Sequence, residues 1–457
     1  MKSIKKEWII VITLLFILAS IIITRPLNDL DEIWNYNFAR NIAEGKMPYK
    51  DFNMIQTPLV PILCSVFLNI FGNELIVMRI LAIILCAVIL FITYKILQKL
   101  KVNKYLSFTF IIFLIYILKD HFRIDYNFFV LLNVLIIIYM ELKLISDIKS
   151  NEDILIASRK DIFLGILAGI CICSKQTTGI CVSIVLLGYH ILNVRSFEEF
   201  KSYLKKAIFR AVGILVPILI LAIYFTVNNL WKDFIDYCIL GISTFTNYIP
   251  YSNLISNSKI LIKILSIIIP IFLISTIFRI FINKLRKKEF NKKLLVLVVY
   301  AIAQSVVVFP ISDDIHFLVG AFPTMIAIVY VISILGQKFK NKKIKIFIKE
   351  YLKVFNILAA ITCSSLAIMS IYNYVIKARE YNSLEHFNYI SQSEEQINGI
   401  KEMGKYIQSQ NKKVYILDAT SAIYTIPINR YTKNYDMLMK GNFGARRRRW
   451  NYRRFGK

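Results

Sequence analysis

The chain has 457 residues, of which 57% are hydrophobic and 19% charged, and its mean hydropathy is +0.57. A soluble globular protein is about 45–50% apolar, so this composition excludes an ordinary water-soluble protein, and it excludes a disordered chain as well. Seven cysteines are too few for a secreted disulfide scaffold of this length. The net charge of +28 is typical of a nucleic-acid binder, but the positions of the basic residues argue against that class.

Apolar runs predict an all-α polytopic membrane protein with about eleven transmembrane helices, because one span needs about 20 mostly apolar residues. The runs are 8–24, 76–97, 105–118, 126–142, 162–174, 176–193, 208–227, 258–282, 294–310, 315–335 and 352–372. The first run has no small-residue cleavage site, so we interpret it as a retained anchor and not as a secretory signal.

Basic residues cluster at the N-terminus and in alternate loops, at 2–6, 95–104, 201–206, 286–293 and 338–349. The intervening loops hold the acids Asp29, Asp31, Glu32, Asp51, Asp120, Asp125, Asp313 and Asp314. Since Lys and Arg stay on the cytoplasmic side, we predict a multi-pass protein of the cell (plasma or inner) membrane. Its N-terminus is cytoplasmic, and its C-terminus and active site are extracytoplasmic. The basic clusters contact anionic lipid, so no nucleic-acid partner is expected.

The long first external loop, residues 25–75, is the first place to look for chemistry, because long ordered loops are usually functional. Asp29, Asp31 and Glu32 follow the first span directly, and a short helix is predicted over 33–43. Either Asp29 or Asp31 caps that helix. Alternatively, the acidic cluster acts as a general base or binds a divalent ion near a phosphate.

Residues 29–79 also contain an ordered series of short motifs. They are Asp31-Glu32, Glu44-Gly45-x-x-Pro48-Tyr49-x-Asp51, Gln56-Thr57-Pro58-Leu59, Phe71-Gly72 and Arg79. This series resembles the first loop of the glycosyltransferase C superfamily, which includes protein O-mannosyltransferases and lipid A aminoarabinose transferases. The chain departs from the pattern at Thr57-Pro58, where many relatives have Pro-Pro.

The resemblance implies an integral membrane glycosyltransferase that moves a hexosyl or pentosyl group from a polyprenyl-phosphate donor, with inversion, to an extracytoplasmic protein, lipid or cell-envelope glycan. In such enzymes an Asp of the acidic motif is the proposed base. In this sequence the resemblance assigns the role of the base to Asp31, with Asp29 as the alternative. Glu32 is the third candidate catalytic residue of the acidic motif. Tyr49 and Asp51 are candidate substrate-binding residues. The pattern establishes no cofactor, and a divalent cation is an open alternative.

Lys175-Gln176 interrupts an apolar stretch at another predicted external turn. A lysine suits a lipid phosphate as a point charge, and the resemblance supports this role, since related transferases often have Lys-Gln here. We therefore predict Lys175 as a donor-phosphate ligand, helped by Arg79 or His316, with Gln176 binding substrate. The alternative is a polar turn that connects two helices.

Two more acidic turns are predicted on the same side. Asp125 either caps the fourth span or binds sugar hydroxyls or a metal. Asp313, Asp314 and His316 are too few for a metal site by themselves. The resemblance, in which an Asp-rich turn and a His precede a Pro-containing span, places them near the substrate phosphate. A solvated loop histidine is the alternative for His316.

The sequence predicts two domains, a transmembrane glycosyltransferase domain (1–372) and a small extracytoplasmic α/β element (373–457). The element contains a predicted amphipathic helix over 394–408 and a strand over 414–418, and it is interpreted as a structural cap or an acceptor contact. Its last residues, 446–457, place a basic block where positive charge is depleted. A one-base shift of their expected codons encodes an acidic helix, so we hypothesise a frameshift, which resequencing of the gene tests. The alternative is a basic tail that binds anionic polymer or lipid.

Two other function classes share parts of this pattern. A lipid-linked oligosaccharide polymerase or ligase uses a similar donor and topology, but usually has its largest loop late in the chain. A polyprenyl-lipid flippase or transporter needs ionisable residues near the membrane centre and broken helices in paired halves, and the sequence indicates neither.

Overall fold

The computed structural model is a helical bundle that describes residues 2–27, 29–146, 154–194, 196–241, 248–286, 288–338, 341–377, 384–412, 414–416 and 420–430. Its α-helices are, in chain order, α1 (Lys2–Ile23), α2 (Leu30–Ala43), α3 (Leu59–Phe71), α4 (Leu75–Lys99), α5 (Lys104–Leu118), α6 (Tyr126–Ser146), α7 (Ile154–Ser174), α8 (Gln176–Gly188), α9 (Phe197–Val227), α10 (Trp231–Phe234), α11 (Ser252–Ser256), α12 (Ile260–Leu285), α13 (Lys292–Ser305), α14 (Asp314–Lys338), α15 (Lys342–Ile376), α16 (Glu394–Ser409) and α17 (Ser421–Thr425). Short 3₁₀ or π segments continue some of them, at Tyr189–Asn193, Ile235–Leu240, Val306–Val308 and Ile426–Ile428.

Every predicted apolar run coincides with a helix, namely α1, α4 to α9 and α12 to α15. Among the described residues, 6 helices are long and apolar enough to cross a membrane: α4, α6, α9, α12, α14 and α15. The apolar parts of α1, α5 and α8 are shorter. The prediction of a helical, polytopic membrane protein is confirmed, and the number eleven stays a prediction.

The bundle has two chemically different ends, because successive long helices run in opposite directions. The acidic end carries Asp29, Asp31, Asp125 and Asp313, which come from three separate connections. The basic end carries the lysine-rich connections, for example the one between α4 and α5. The apolar side chains between the two ends form one large core.

Helices α7 and α9 pack closely on each other near the basic end. A β-carbon on Gly165 would lie 2.1 Å from the carbonyl oxygen of Arg210, and one on Gly213 would lie 2.1 Å from that of Ile162. Only glycine lets the two backbones approach this closely, as in other membrane helix pairs. This contact holds α7 against α9.

The first long loop covers the acidic end with α2 and α3. Helix α2 begins at Leu30, three residues before the predicted start, because the Asp29 carboxylate caps it by accepting the backbone N–H groups of Asp31 (3.1 Å) and Glu32 (3.4 Å). Of the two predicted capping residues, Asp29 is therefore the one that caps. This leaves the Asp31 side chain available for other contacts.

The C-terminal element packs on this loop through a second apolar core. Ile397 and Ile400 of α16 are buried in a cluster with Ile33 and Tyr36 of α2. Helix α16 matches the prediction over 394–408. The element is therefore attached to the loop that carries the acidic residues.

The predicted strand over 414–418 does not form in the part of it that the structure describes. Residues 414–416 have no regular structure, and the rest of that segment lies outside the described residues. The described part of the C-terminal element is therefore helical, and the α/β prediction is not confirmed. Residues 446–457, the subject of the frameshift hypothesis, also lie outside the described residues.

Candidate active site at the acidic end

Three carboxylates converge on one buried arginine at the acidic end. Nη1 of Arg123 donates to both carboxylate oxygens of Asp29 (2.5 Å each), and Nη2 donates to Asp31 (2.6 Å). Its Nε donates to Asp125 (3.2 Å), whose other oxygen accepts the backbone N–H of Phe128 and so caps α6. Arg123 therefore neutralises part of a dense negative charge and ties the first loop to α6.

Asp31 is the accessible member of this trio. Its side chain is 40% exposed, compared with 12% for Asp29 and 2% for Asp125. Desolvation by the surrounding protein raises the pKa of Asp31 above its usual 3.8, and the charges of Asp29 and Asp125 act in the same direction. The charge of Arg123 opposes this rise without cancelling it. An accessible carboxylate with a raised pKa suits proton acceptance.

Glu32, the next residue, has a different environment. Arg79 donates to both of its oxygens (3.0 and 2.9 Å), and Arg25 donates to one of them (2.9 Å). Burial alone raises the pKa of Glu32, but the two arginines outweigh burial and lower it below 4.5. Glu32 is therefore held as a buried carboxylate within a fixed ionic network.

Arg79, predicted to help bind the donor phosphate, is fully buried in the same network. Besides Glu32, its guanidinium donates to the backbone carbonyls of Ile23 (3.1 Å), Arg25 (2.5 Å) and Pro26 (3.4 Å). These bonds close the turn between α1 and α2. The structure thus gives Arg79 protein partners on all sides of its guanidinium.

Lys175 lies at the same end, between α7 and α8. Its Nζ donates to Asn127 Oδ1 (2.8 Å) and stands 5.2 Å from the ring centroid of Tyr126. Burial lowers the pKa of Lys175 to about 8, and the charges of Asp125, Asp313 and Asp31 oppose this effect. The ammonium group is therefore within the electrostatic range of the Arg123 cluster.

Asp313 and His316 form a pair beside these groups. The Asp313 carboxylate accepts the His316 backbone N–H (2.9 Å) and lies 2.7 Å from its Nδ1. Burial raises the pKa of Asp313, but the hydrogen bonds and charge of His316 outweigh it, so the pKa is lowered. Asp314 instead accepts a hydrogen bond from Ser258. The predicted Asp-rich turn is thus brought to the acidic end, with its two carboxylates directed to different partners.

Other predicted substrate-binding residues have structural contacts. Tyr49 is fully buried, and its hydroxyl donates to the Gln56 carbonyl (2.7 Å). Asp51 accepts the backbone N–H of Met47 (2.9 Å). The Gln176 amide donates to the carbonyls of Ile55 (3.3 Å) and Cys238 (3.4 Å). These contacts order the loop around the acidic end and leave Tyr49 no open ring face for a sugar.

The acidic residues do not form a recognisable metal site within the part of the chain that the structure describes. No group of three or more His, Cys, Asp or Glu side chains there is arranged to hold a metal ion. The three carboxylates of the trio face a guanidinium instead. The divalent cation considered from the sequence remains a hypothesis.

Sequence reasoning did not find Arg123 or Asn127, although both stand in the Arg-x-Asp-Tyr-Asn segment that precedes and opens α6. It also missed an ionic cluster near the basic end, where Arg210 pairs with Glu141 (2.9 Å) and Asp161 (2.8 Å). The single signal for that cluster was the presence of isolated charges inside three apolar helices.

Comparison with known proteins agrees with the sequence resemblance. Residues 55–221 match the family model of dolichyl-phosphate-mannose-protein mannosyltransferase. None of the curated proteins matches the chain in sequence.

Two solved structures match this chain, and the first of them has a similar fold. One is ArnT from Cupriavidus metallidurans bound to undecaprenyl phosphate, with 11% identity and a TM-score of 0.59 over 93% of this chain and 85% of that one. The other is the Archaeoglobus fulgidus oligosaccharyltransferase in complex with Zn and sulfate, with 12% identity and a TM-score of 0.46 over 92% of this chain. The present chain spans 61% of the archaeal protein. The family match and the ArnT-like fold confirm the resemblance to the glycosyltransferase C superfamily.

Proposed function

We propose that this membrane protein, with its glycosyltransferase C resemblance, transfers a sugar from a polyprenyl-phosphate donor to an acceptor hydroxyl or amine. The acceptor is a protein, a lipid or a cell-envelope glycan. One observation carries the proposal: an accessible carboxylate with a raised pKa, Asp31, lies at the same end of the bundle as a buried ammonium group, Lys175. A base for the acceptor and a cation for a leaving phosphate are what such a transfer requires.

In the proposed reaction the acceptor attacks the anomeric carbon from the side opposite the phosphate. Asp31 accepts the acceptor's proton as the new glycosidic bond forms. The bond between the anomeric carbon and the phosphate oxygen breaks, and the lipid phosphate leaves with the electron pair. A single displacement of this kind inverts the anomeric centre. The raised pKa makes Asp31 a stronger base than an ordinary surface aspartate.

Lys175 stabilises the charge that develops on the leaving phosphate. With a pKa of about 8, its ammonium group is largely protonated at neutral pH. A bound phosphate supplies a negative charge, which favours the protonated form further. His316, held by Asp313, is positioned to assist as a hydrogen-bond donor. We assign Arg79 to support of the loop, because its guanidinium is buried and already bonded.

The proposed orientation places the acidic end outside the cell membrane and the basic end in the cytoplasm. Lysine-rich connections support it, since such segments stay on the cytoplasmic side. The donor's polyprenyl chain lies in lipid against the outer apolar faces of the bundle, among which those of α9 and α12 are widely exposed.

Sugar transfer from radiolabelled polyprenyl-phosphate sugars in membranes tests the proposal. We expect transfer by the wild type and a fall of about 10²–10⁴-fold in Asp31→Asn, the usual contribution of a general base. Asp120→Asn is the matched control, because Asp120 is an exposed acid of the same end that pairs with Lys259. Equal transfer by wild type and Asp31→Asn would remove Asp31 from the chemistry. Absence of transfer from every donor would favour a polymerase, ligase or transporter.

A further inference from the structure

Helix α3 has an apolar face that the described part of the chain leaves exposed. Its opposite face is buried, because Val60, Cys64 and Leu68 pack into the apolar core that α2 shares with the C-terminal element. Side chains separated by three, four, seven or eight positions lie on one side of a helix. The exposed face consists of five large side chains with this spacing, each 39–69% exposed: Leu63, Val66, Phe67, Ile70 and Phe71.

The chemistry of this face suits lipid better than water. Helix α3 contains no charged residue, and Asn69 is the one exposed polar side chain on it. The rings of Phe67 and Phe71 stack with their centroids 6.4 Å apart. The exposed side of α16, by contrast, carries charges such as Lys401 and Glu402. Contiguous exposed apolar patches mark sites of interaction with a protein or a membrane.

Both ends of α3 are attached at the acidic end of the bundle. Just before α3, Oγ1 of Thr57 donates to the carbonyl of Ile172 (3.2 Å), which lies in the last turn of α7. Just after α3, the turn 72–74 leads into α4, which is long enough to cross a membrane. Helix α3 therefore runs across the acidic end. With 13 residues it is ~20 Å long, too short to cross the ~30 Å hydrocarbon core.

Helix α4 sets the level of α3 relative to the bilayer. Its first turn, residues 75–78, is apolar, and its exposed side chains Ile80 and Ile84 are apolar as well, so the hydrocarbon begins near the start of α4. The turn between the two helices is tight, because the backbone N–H of Glu74 donates to the Gly72 carbonyl (2.9 Å). The exposed face of α3 is therefore next to the boundary between headgroups and acyl chains, where amphipathic surface helices bind.

We propose that the exposed face of α3 is inserted among the lipids of the membrane leaflet at the acidic end. The helix lies along the bilayer surface, with Phe67 and Phe71 between lipid chains and its other face against α2. Because α2 carries Asp31, this contact holds the acidic loop at the height of the lipid headgroups. The inference depends on a membrane surface and not on sugar transfer.

Photocrosslinking of the full chain in nanodiscs of phosphatidylethanolamine and phosphatidylglycerol tests the contact. p-Benzoylphenylalanine replaces Phe67 or Phe71, and mass spectrometry identifies what is attached after illumination. Ile274, 69% exposed in the apolar stretch of α12, is the positive control. Tyr406 of α16, 60% exposed, is the matched negative control. We expect lipid adducts at positions 67 and 71, as at 274, and their loss at 406.

Other results would overturn the proposal. If position 274 yields lipid adducts and positions 67 and 71 do not, α3 faces water. A crosslink from 67 or 71 to the same chain or to a second copy, without a lipid adduct, would mean that protein covers this face. A second arm adds undecaprenyl phosphate to the nanodisc, and adducts with that lipid alone would make the face a groove for a polyprenyl chain. Thermal unfolding at the wild-type temperature shows that each replacement leaves the fold intact.

Discussion

Asp31 and Glu32 are adjacent in α2, but their carboxylates are bound by different arginines and their pKa values shift in opposite directions. Arg79 and Arg25 hold Glu32, which is 4% exposed, whereas Arg123 binds the carboxylate of Asp31, which is 40% exposed. The pKa of Glu32 is lowered and that of Asp31 is raised. One residue of the acidic pair is thus suited to stabilise the fold and the other to accept a proton.

The first prediction concerns the stability of Asp31→Asn. Because the folded state raises the pKa of Asp31, it binds the proton more tightly than the unfolded state. The resulting stabilisation is present below the unfolded pKa and is lost as the pH rises through the folded pKa. Ionised Asp31 therefore lowers stability at neutral pH, and Asp31→Asn should unfold at the same temperature as the wild type or a higher one.

Thermal unfolding in detergent at about pH 7 checks this prediction. Asp125→Asn is the comparison. This variant loses the ionic bond to Arg123 and weakens the cap of α6. We therefore expect it to unfold at a lower temperature than the wild type. A large loss of stability in Asp31→Asn would mean that its bond to Arg123 is structural.

The second prediction is that Glu32→Gln destabilises the protein by about 3–5 kcal/mol, as expected when one partner of a buried ion pair is removed. Since the folded state lowers the pKa of Glu32 below 4.5, its stabilisation is present above the unfolded pKa. It is lost as the pH falls through the folded pKa. Thermal unfolding at a series of acidic pH values should show this loss in the wild type and a weaker pH dependence in the variant.

Glu350→Gln is the control for that series, because Glu350 belongs to an exposed pair with Lys353. Exposed pairs contribute little to stability, so this variant should follow the wild type. Equal unfolding of all three proteins would contradict the proposed role of the Glu32 network.

The third prediction concerns donor binding by Lys175. Its pKa of about 8 means that the ammonium charge is lost as the pH rises through that value. The KM for the polyprenyl-phosphate donor should therefore increase above about pH 8. Lys175→Arg keeps the charge and should remove this dependence. Lys175→Met should raise the KM about tenfold or more at neutral pH, and the difference from the wild type should shrink above about pH 8, where the lysine itself is neutral.

Initial rates at saturating acceptor measure this KM between about pH 6.5 and 9.5. Lys175→Arg is also the control for other groups that titrate in this pH range, on the acceptor or at Asp31. Their titration changes the KM of the wild type, Lys175→Arg and Lys175→Met alike. A wild-type KM that stays constant across the range would exclude Lys175 as the phosphate ligand.

The fourth prediction addresses the ionic cluster near the basic end. Arg210→Leu leaves the buried carboxylates of Glu141 and Asp161 without their shared cation, and should lower stability by about 3–5 kcal/mol. Replacing all three residues with Leu should recover part of this loss. The KM for the donor should not change in any folded variant, because the cluster contacts none of the acidic-end residues.

Thermal unfolding and donor kinetics on the same preparations separate the two effects. A selective rise of the donor KM in Arg210→Leu would show that the cluster is coupled to the active site and is more than a structural contact.

Local patterns in the sequence were sufficient to predict the helices and to single out the acidic loop. An apolar run long enough to cross a bilayer forms a helix wherever it stands, and α4 and α14 lie close to their predicted bounds. The acidic loop was recognised because Asp31 and Glu32 follow an apolar run directly. The predictions of the helices and of the acidic loop depend only on residues that are close together in the sequence.

Pairings between distant residues could not be predicted in this way. Arg123 meets Asp31 across 92 positions of the chain, and Arg210 meets Asp161 where α7 and α9 pack closely through glycines. A buried charge in an apolar helix indicates that a partner exists, but the helix packing decides which partner it is. For the same reason the burial of Tyr49 and Arg79 was not foreseen.

Helix α15 presents almost all of its surface to its surroundings. It has 35 residues, and within it only Ala367 is buried. At about 1.5 Å per residue it is ~52 Å long, far more than the ~30 Å hydrocarbon core. Its apolar run, 352–372, is only ~31 Å long at the same rise per residue. The lysine-rich first turns of α15 therefore extend beyond the hydrocarbon at the basic end, where their charges meet the headgroups of anionic lipids.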